Sequence, residues 1–302
     1  MPSTILSDPG ARTLVAGELA ATFLPAHGML GASLTHRGVE LLRRVDDLDG
    51  AAAAGRTAGI PLLHPWANRL AGFAYALGGR AVALDSRSRW LSFDANGLPI
   101  HGVPWSRLVW QVVDEARDRV VARFDWTSRD LCELFPFPHS ITIDARLDAD
   151  RLTVATTLEA ISVRVPVSFG FHPYIGVPGV PRAQWQVRLP PMRKLTLDPR
   201  HIPTGSASPF PGFGTPLGTR TFDDGYALDG ESASLSIAGG GREIAIEWLE
   251  GYRYAQVYAP ATPELIAFEP MTAPTNALIS EVGLTFVEPG AHFRAVFGIR
   301  VA

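Results

Sequence analysis

Apolar and polar residues alternate along several segments of this chain, and this period of two constrains the fold more than any other feature. In the segment 140–147, SITIDARL, Ile141 and Ile143 fall on one side and polar residues fall on the other. The segment 151–159, RLTVATTLE, repeats the pattern, and DADR at 148–151 predicts a tight turn between the two runs. Such alternation is typical of antiparallel strands that bury one face.

The same pattern recurs towards the end of the chain, whereas long helical periods are scarce. The segment 234–248, SLSIAGGGREIAIEW, contains two alternating runs joined by glycines and predicts a β-hairpin. Further short strands are predicted in the segments RLVWQVV, RVVARFDW, YAQVYAP, ELIAFEP and HFRAVFGIRVA. By contrast, residues 199–218 and the segment SDPGAR are rich in turn-forming residues and are expected to be irregular, exposed loops.

The 25 prolines and 29 glycines are scattered along the chain instead of being pooled in a linker. No internal repeat and no domain boundary are evident. Many short strands separated by turn signals favour a sandwich or a barrel. We therefore expect residues 1–302 to form a single all-β domain, built as one large antiparallel β-sandwich with over a dozen strands.

Composition narrows the classes of partner. The formal charge of −3 gives no reason to expect nucleic acid or an anionic membrane surface. Cys132 is the one cysteine, so an intrachain disulfide and a cysteine-rich metal site are excluded. The N-terminus lacks the basic and apolar regions of a signal peptide, and no apolar run is long enough to span a bilayer. These features predict a cytoplasmic protein without a membrane partner, and they leave its oligomeric state open.

Polar side chains interrupt apolar, turn-rich segments at three places that favour a binding site. Asn68 and Arg69 lie between apolar runs, and the guanidinium of Arg69 presents a fixed fork of donors to sugar hydroxyls or a carboxylate. His101 precedes a glycine just ahead of a predicted strand. His172 lies in SFGFHPYIGVPG, between a phenylalanine and a proline. For each of them, a structural role as a paired arginine, a loop histidine or a packed core histidine is the alternative.

A carboxylate stands in an equally unusual place. Glu269 ends the apolar run of ELIAFEP and precedes a proline. A carboxylate at the end of a buried strand is costly unless it is paired or used in chemistry, so Glu269 is a candidate general base and a structural ion pair is the alternative. His172 is the natural partner for proton transfer, because an imidazole titrates near neutral pH. No short-spaced histidine pair supports a zinc site among His64, His101 and His172, and we predict no metal.

Five segments, taken in order, resemble the aldose 1-epimerase (mutarotase) family across residues 15 to 300. They are ANRLAGFAYALGGRAVAL, GLPIHGVPWSRLVW, FGFHPYIGVPG, TFDDGYAL and AFEPMTAPTNAL. Each segment is short, and their order makes the resemblance more specific than any one of them. The resemblance implies a large antiparallel β-sandwich with an open sugar-binding face, in agreement with the alternation pattern. It also implies interconversion of the α and β anomers of a monosaccharide without a cofactor.

The resemblance implies a role for individual residues. His172 matches the general acid and Glu269 the general base. Substrate-binding groups are implied at the matching positions of the other segments, namely Arg69, His101, Asp223, Asn68 and Tyr174. Asp224 lies beside Asp223 and leaves open which of the two contacts the sugar. Trp66, Phe171 and Tyr174 are candidates for apolar contact with the sugar, with core packing as the alternative.

The chain departs from the galactose mutarotases at several positions, which leaves the preferred sugar open. Pro173 stands where those enzymes carry Ser or Thr, Val103 replaces a glycine, and Pro270 and Met271 follow the glutamate. We expect these changes at the rim of the pocket. The alternatives are a hexose-6-phosphate mutarotase, a lyase or another isomerase on the same scaffold, and a non-catalytic carbohydrate-binding sandwich. A phosphate substrate would need a second Arg or Lys in the pocket, which the motifs do not identify.

Overall fold

The computed structural model describes residues 4–302, so that residues 1–3 of the N-terminal segment considered above lie outside the described residues. The first strands are β1 (Arg12–Ala16), β2 (Leu19–Leu24), β3 (Leu30–His36), β4 (Val39–Glu40), β5 (Leu62–Leu63), β6 (Ala74–Leu77), β7 (Arg80–Ala83), β8 (Ser92–Phe93), β9 (Pro99–Ile100), β10 (Gln111–Ala116), β11 (Arg119–Trp126), β12 (His139–Leu147) and β13 (Arg151–Ala160). The remaining strands are β14 (Val165–Val167), β15 (Gly170–Phe171), β16 (Tyr174–Ile175), β17 (Gln186–Leu189), β18 (Met192–Leu197), β19 (Pro203–Phe210), β20 (Phe213–Pro216), β21 (Phe222–Ala227), β22 (Ala233–Gly239), β23 (Arg242–Glu250), β24 (Tyr254–Ala259), β25 (Ile266–Met271), β26 (Thr285–Val287) and β27 (His292–Val301).

The helices within the described residues are short. The α-helices are α1 (Leu48–Ala53), α2 (Arg129–Leu134) and α3 (Ala277–Ser280), and single 3₁₀ turns occur at Ile5–Ser7, Pro25–His27, Trp105–Arg107 and Arg182–Gln184. Because strands dominate and helices are few, the predicted all-β class is confirmed. None of the helices in residues 4–302 is long and apolar enough to cross a membrane.

Two large antiparallel sheets dominate the architecture. One has nine strands in the order β10-β11-β12-β13-β27-β23-β22-β17-β20. The other has eight strands, with the path β19-β18-β21-β24-β25-β15-β5 and with β16 also paired to β25. A four-stranded sheet of β1 to β4 and three two-stranded ribbons complete the described fold. The predicted large antiparallel sandwich is thus present, with additional small sheets.

Alternation along the strands explains which face of the nine-stranded sheet is buried. Ile141 and Ile143 of β12 and Leu152 and Val154 of β13 all point into the core. The register pairs Leu147 with Leu152, which confirms the tight turn between β12 and β13. Apolar faces of both sheets meet in one hydrophobic cluster.

The glycine-linked hairpin was also predicted correctly. Gly239 pairs with Arg242, and the turn consists of Gly240 and Gly241, whose φ angles are 57° and 78°. A two-residue turn with both φ angles positive matches the right-handed twist of the strands, and glycine adopts it without a steric penalty.

Two local expectations were wrong. Residues 199–218 were expected to be irregular, but they contain β19 and β20. Both strands lie at the edges of sheets, where prolines and glycines interrupt few backbone hydrogen bonds. The strand expected in RLVWQVV begins only at Gln111, since Trp105–Arg107 forms a 3₁₀ turn. The SDPGAR segment is irregular up to Arg12, where β1 begins.

Candidate active site

A cavity of about 180 Å³ lies on the face of the eight-stranded sheet. It is lined by Arg44, Asn68, Arg69, Ile100, His101, His172, Tyr174, Asp223, Tyr258 and Glu269. All seven residues predicted as site residues are among them, although they come from five separate segments of the chain. The fold therefore brings the predicted residues together around one space.

The central feature of the cavity is a buried pair formed by His172 and Glu269. Nε2 of His172 lies 3.1 Å from Oε1 of Glu269, and the side chains are only 5% and 2% exposed. Glu269 stands within β25, and His172 follows β15 directly and donates its backbone N–H to the carbonyl of Pro61. Rigid backbone on both sides holds the two side chains in contact across the sheet.

Burial controls the protonation of this pair. It lowers the pKa of His172 well below its usual value, with further contributions from His101 and Arg44. It raises the pKa of Glu269 well above its usual value, helped by the nearby charge of Asp223 and opposed by that of Arg69. Close opposite charges favour an ion pair, but the cost of desolvating both is larger here, so burial favours a neutral pair with the proton on Glu269.

Two atoms of this pair are left without a partner. Nδ1 of His172 and Oε2 of Glu269 are buried and have no hydrogen-bond partner within residues 4–302. Buried polar atoms in native proteins are almost always paired, and each exception calls for an explanation. The unpaired carboxyl oxygen of Glu269 is available to a ligand hydroxyl.

Arg69 is held rigidly beside the pair. Its Nε donates to Oδ2 of Asp94 at 2.7 Å, and Nη1 donates to Oδ1 of Asn68 at 3.0 Å. Nη2 lies 3.6 Å from Oδ2 of Asp223. The backbone N–H groups of Asn96 and Leu98 in turn donate to Oδ1 of Asp94. The guanidinium is thereby oriented before any ligand arrives.

His101 forms a second wall and is positioned by left-handed backbone. The φ angles of Asn68 and His101 are 58° and 63°, and the N–H of His101 donates to the carbonyl of Asn68. A Cβ on Gly102 would lie 2.2 Å from the carbonyl oxygen of His64, so the next residue must be glycine. The His101 ring meets His172 edge-on at 5.5 Å, and burial lowers its pKa to about 3. Such strained non-glycine residues cluster at functional sites.

The structure distinguishes the two adjacent aspartates. Asp223 lines the cavity, and its Oδ1 accepts a 2.6 Å hydrogen bond from Nε2 of Gln256. Its Oδ2 lies 3.3 Å from Nδ1 of His201. Asp224 is instead paired with Lys194, whose Nζ lies 2.8 Å from Oδ1. Successive side chains of β21 point to opposite faces of the sheet, so only Asp223 faces the cavity.

Tyr174 contributes to the site, whereas the other two candidate aromatic residues do not. Its ring stacks on His172 with centroids 4.1 Å apart, and its hydroxyl lies 2.5 Å from that of Thr57. Trp66 and Phe171 are buried in the hydrophobic cluster and do not line the cavity. For these two residues the alternative, packing in the core, is the correct one.

Residues that depart from the galactose mutarotases are not at the rim, contrary to expectation. Val103, Pro173, Pro270 and Met271 are all buried and do not line the cavity. Apolar side chains at these positions are drawn into the core, because burial removes their surface from water. Within residues 4–302, no group of His, Cys, Asp and Glu side chains is arranged to hold a metal ion.

Four residues of the site were not predicted. Arg44, Ile100 and Tyr258 line the cavity, and Gln256 holds Asp223. For Gln256 and Tyr258 a signal existed, since alternation in YAQVYA places both opposite the apolar face, and the register pairs Gln256 with Glu269. No motif marked Arg44.

Buried histidines predict a loss of stability in mild acid. Burial lowers the pKa of His139 to about 4 and that of His101 to about 3, and it also lowers those of His64 and His172. When the pH is below about 6.5, the pKa of a histidine in the unfolded chain, the histidines are protonated in the unfolded chain but stay neutral in the folded chain. Each histidine then costs roughly 1.4 kcal/mol per pH unit, so His101 and His139 together cost about 4 kcal/mol at pH 5.

The raised pKa of Glu269 acts in the opposite sense, because the folded chain keeps a proton that the unfolded chain loses above about pH 4.3. Below about pH 6.5 the four histidines outweigh this one carboxyl. Urea unfolding should show that the free energy of unfolding decreases as the pH is lowered from about 6.5 to 5, with a smaller slope in His139→Asn. A flat profile between pH 7 and 5 would contradict the protonation states described above.

Comparisons with known proteins give one consistent family. Residues 25–300 match the family model described as Aldose 1-epimerase. No curated protein matches the sequence at a significant level. Among solved structures, a galactose mutarotase-like protein from Clostridium acetobutylicum is similar with a TM-score of 0.82 and 19% identity, covering 96% of this chain and 94% of that one.

Two further structures show the same fold. An aldose epimerase homologue from C. elegans has a TM-score of 0.80 at 17% identity, covering 97% of this chain and 98% of its own. Galactose 1-epimerase from Lactobacillus acidophilus NCFM has a TM-score of 0.77 at 12% identity, covering 97% and 94%. At these identities the structural similarity establishes the fold alone.

Proposed function

The chain belongs to the aldose 1-epimerase family, and we propose that it interconverts the α and β anomers of a free monosaccharide by opening and reclosing the sugar ring. The observation that carries this proposal is the buried contact of His172 with Glu269 on the wall of a sugar-sized cavity. An acid and a base in one water-poor space are what the opening of a cyclic hemiacetal needs.

In the proposed reaction Glu269 acts as general base and His172 as general acid. Glu269 takes the proton of the C1 hydroxyl while His172 delivers a proton to the ring oxygen. The C1–O5 bond breaks, the C1–C2 bond rotates, and the ring closes on the other face of the carbonyl with the roles reversed. Proton count is conserved, because the pair begins and ends each turn with one transferable proton.

The neutral state of the substrate-free pair agrees with this cycle. After ring opening the proton lies on Glu269 and His172 is neutral, which is also the arrangement that burial favours without substrate. Opening a cyclic sugar needs the proton on His172, so in the proposed cycle it passes from Glu269 to His172 across their 3.1 Å contact before the sugar separates the two side chains. Hydrogen bonds from the sugar replace the direct contact between the two side chains when substrate enters.

The surrounding residues orient the sugar and stabilise charge. Arg69 and His101 face the region where negative charge develops on oxygen, and Arg69 is already fixed by Asp94. Asp223 presents carboxylate oxygens to sugar hydroxyls, and Tyr174 presents an aromatic face beside His172. The Oδ1 atom of Asn68 accepts from Arg69, which leaves its amide NH₂ group to donate to a sugar oxygen. Two positioned proton-transfer groups supply roughly 10²–10⁴ each in rate, or about 5–11 kcal/mol together.

Two alternatives make different demands on the site. A non-catalytic carbohydrate-binding protein has no use for a buried acid–base pair with an unpaired carboxyl oxygen. A sugar with an anionic group needs a free cation in the pocket. Arg44 provides one.

Polarimetry on fresh α-D-glucose and α-D-galactose tests the proposal. The protein is expected to accelerate the approach to anomeric equilibrium above the buffer rate. Asp223→Asn should raise KM by roughly 10-fold, because the variant loses a charged hydrogen-bond acceptor for sugar hydroxyls. Asp224→Asn is the matched control, since its side chain is paired with Lys194 away from the cavity.

The outcome that would overturn the proposal is a rate equal to that of buffer on these sugars and on a panel of pentoses, deoxysugars, uronates and sugar phosphates. Equal effects of the two aspartate variants would instead overturn the assignment of Asp223.

A further inference from the structure

Arg44 occupies an unusual position on the cavity wall. The N–H of the preceding residue, Arg43, donates to the carbonyl of Tyr174, which ties this segment to β16. Arg44 itself has a φ of 62°, a left-handed conformation that is uncommon for a residue other than glycine. Its guanidinium carbon lies 4.8 Å from the centroid of the Tyr174 ring. The chain accepts local strain where this cation meets the cavity.

Charge balance separates Arg44 from the other arginine of the cavity. Arg69 is matched by Asp94 and Asp223. Arg44 is half-buried, and no carboxylate of residues 4–302 lies within ion-pair distance of it. A half-buried cation held only against an aromatic ring has lost part of its hydration without gaining a counter-ion. A ligand anion would supply that counter-ion.

Tyr174 links this cation to the acid–base pair. The rings of Tyr174 and His172 are stacked at 4.1 Å, and Arg44 lies over the same tyrosine ring. One monosaccharide can therefore place its anomeric carbon beside His172 and its far end beside Arg44. Arg44 also borders a second cavity of about 230 Å³, which is lined in part by Thr57.

We propose that Arg44 binds a carboxylate at the end of the sugar remote from the anomeric carbon, so that hexuronates are preferred substrates. This inference rests on the proposed function. One guanidinium fork matches one carboxylate in charge and in geometry. A phosphate dianion would bring close to two charges to a cavity with a single unmatched cation and with Asp223 on its wall.

The test compares kcat/KM for D-glucuronate and D-galacturonate with that for D-glucose and D-galactose. Wild type is expected to favour the uronates by about 10–100-fold, the range of a hydrogen bond to a charged group. Arg44→Met should abolish this preference, because the rate on the uronates falls more than the rate on the neutral sugars, while Arg44→Lys should retain part of it. Arg200→Met, which removes a cation already paired with Asp198, is the matched control.

Binding provides a readout that does not depend on turnover. The 1,5-anhydro form of glucuronic acid lacks the C1 hydroxyl and cannot react. Calorimetry is expected to show that it binds wild type more tightly than 1,5-anhydroglucitol does, and that Arg44→Met removes the difference. Thermal unfolding of both Arg44 variants confirms that they are folded.

Three outcomes would overturn the inference. One is equal affinity of wild type for the two anhydro ligands. Another is a loss of rate in Arg44→Met that is the same on neutral and acidic sugars, which would place Arg44 in the reaction itself. The third is a preference for glucose 6-phosphate over glucuronate that depends on Arg44. A wild type inactive on every sugar would refute the proposed function, while the binding experiment would still test the Arg44 subsite.

Discussion

Glu269→Gln is expected to lower kcat for mutarotation by roughly 10²–10⁴-fold with the fold intact. Glutamine has the shape of the glutamate side chain, but its amide cannot take the proton of the C1 hydroxyl. The side chain is only 2% exposed, and water therefore has little access to replace it as base. Initial rates from polarimetry, corrected for the spontaneous reaction in buffer, measure the effect.

A matched control for this variant lies five residues earlier. Glu264 is exposed, and it accepts a hydrogen bond from the backbone N–H of Arg182. Glu264→Gln makes the same chemical change outside the cavity and should keep the wild-type rate. If Glu269→Gln retained wild-type kcat, the carboxyl group would have no role in proton transfer, and the proposed mechanism would be wrong.

His172→Asn is expected to produce a loss of similar size, also about 10²–10⁴-fold in kcat. Asparagine retains a polar group near Glu269 but cannot deliver a proton to the ring oxygen. It also removes the ring that stacks on Tyr174. Thermal unfolding measured beside the kinetics separates lost chemistry from lost packing, since a structural defect alone would lower the melting temperature without such a loss of kcat.

The pH dependence and the double variant identify the pair as one unit. Wild-type kcat should follow a bell-shaped profile, because activity needs one proton on the pair and is lost when a second enters or the last one leaves. Each single variant should lose one limb of the profile. The double variant should be scarcely slower than either single one, since groups that act together are non-additive. Multiplicative losses would show that the two residues act independently.

The fold class was readable from the sequence because strand alternation is a local signal. Each of the segments at 140–147 and 151–159 reveals its buried face without reference to any other part of the chain. The edge strands β19 and β20 were not predicted, since prolines and glycines weaken the alternation of apolar and polar residues in them. Pairing with a neighbouring strand, which is not a local property, orders those segments.

The types of the principal site residues could also be inferred from the sequence, but their arrangement in space could not. A histidine and a glutamate in apolar surroundings predict proton chemistry, but they lie 97 positions apart in the sequence. Their 3.1 Å contact depends on β15 and β25 being neighbours in one sheet. In the same way, the sequence left open whether Asp223 or Asp224 faces the cavity. The direction of the side chains on β21 decides for Asp223, and the ion pair of Asp224 with Lys194 supports this assignment.

Sequence alone therefore specified an all-β chain of the aldose 1-epimerase family and the residue types of the proposed acid–base site. Tertiary structure alone revealed the buried contact of His172 with Glu269, the support of Asp223 by Gln256, and the unmatched charge of Arg44. The physical reason is that desolvation and charge balance depend on every group packed around a side chain. Those groups come from distant parts of the chain, and only the folded sheets bring them together.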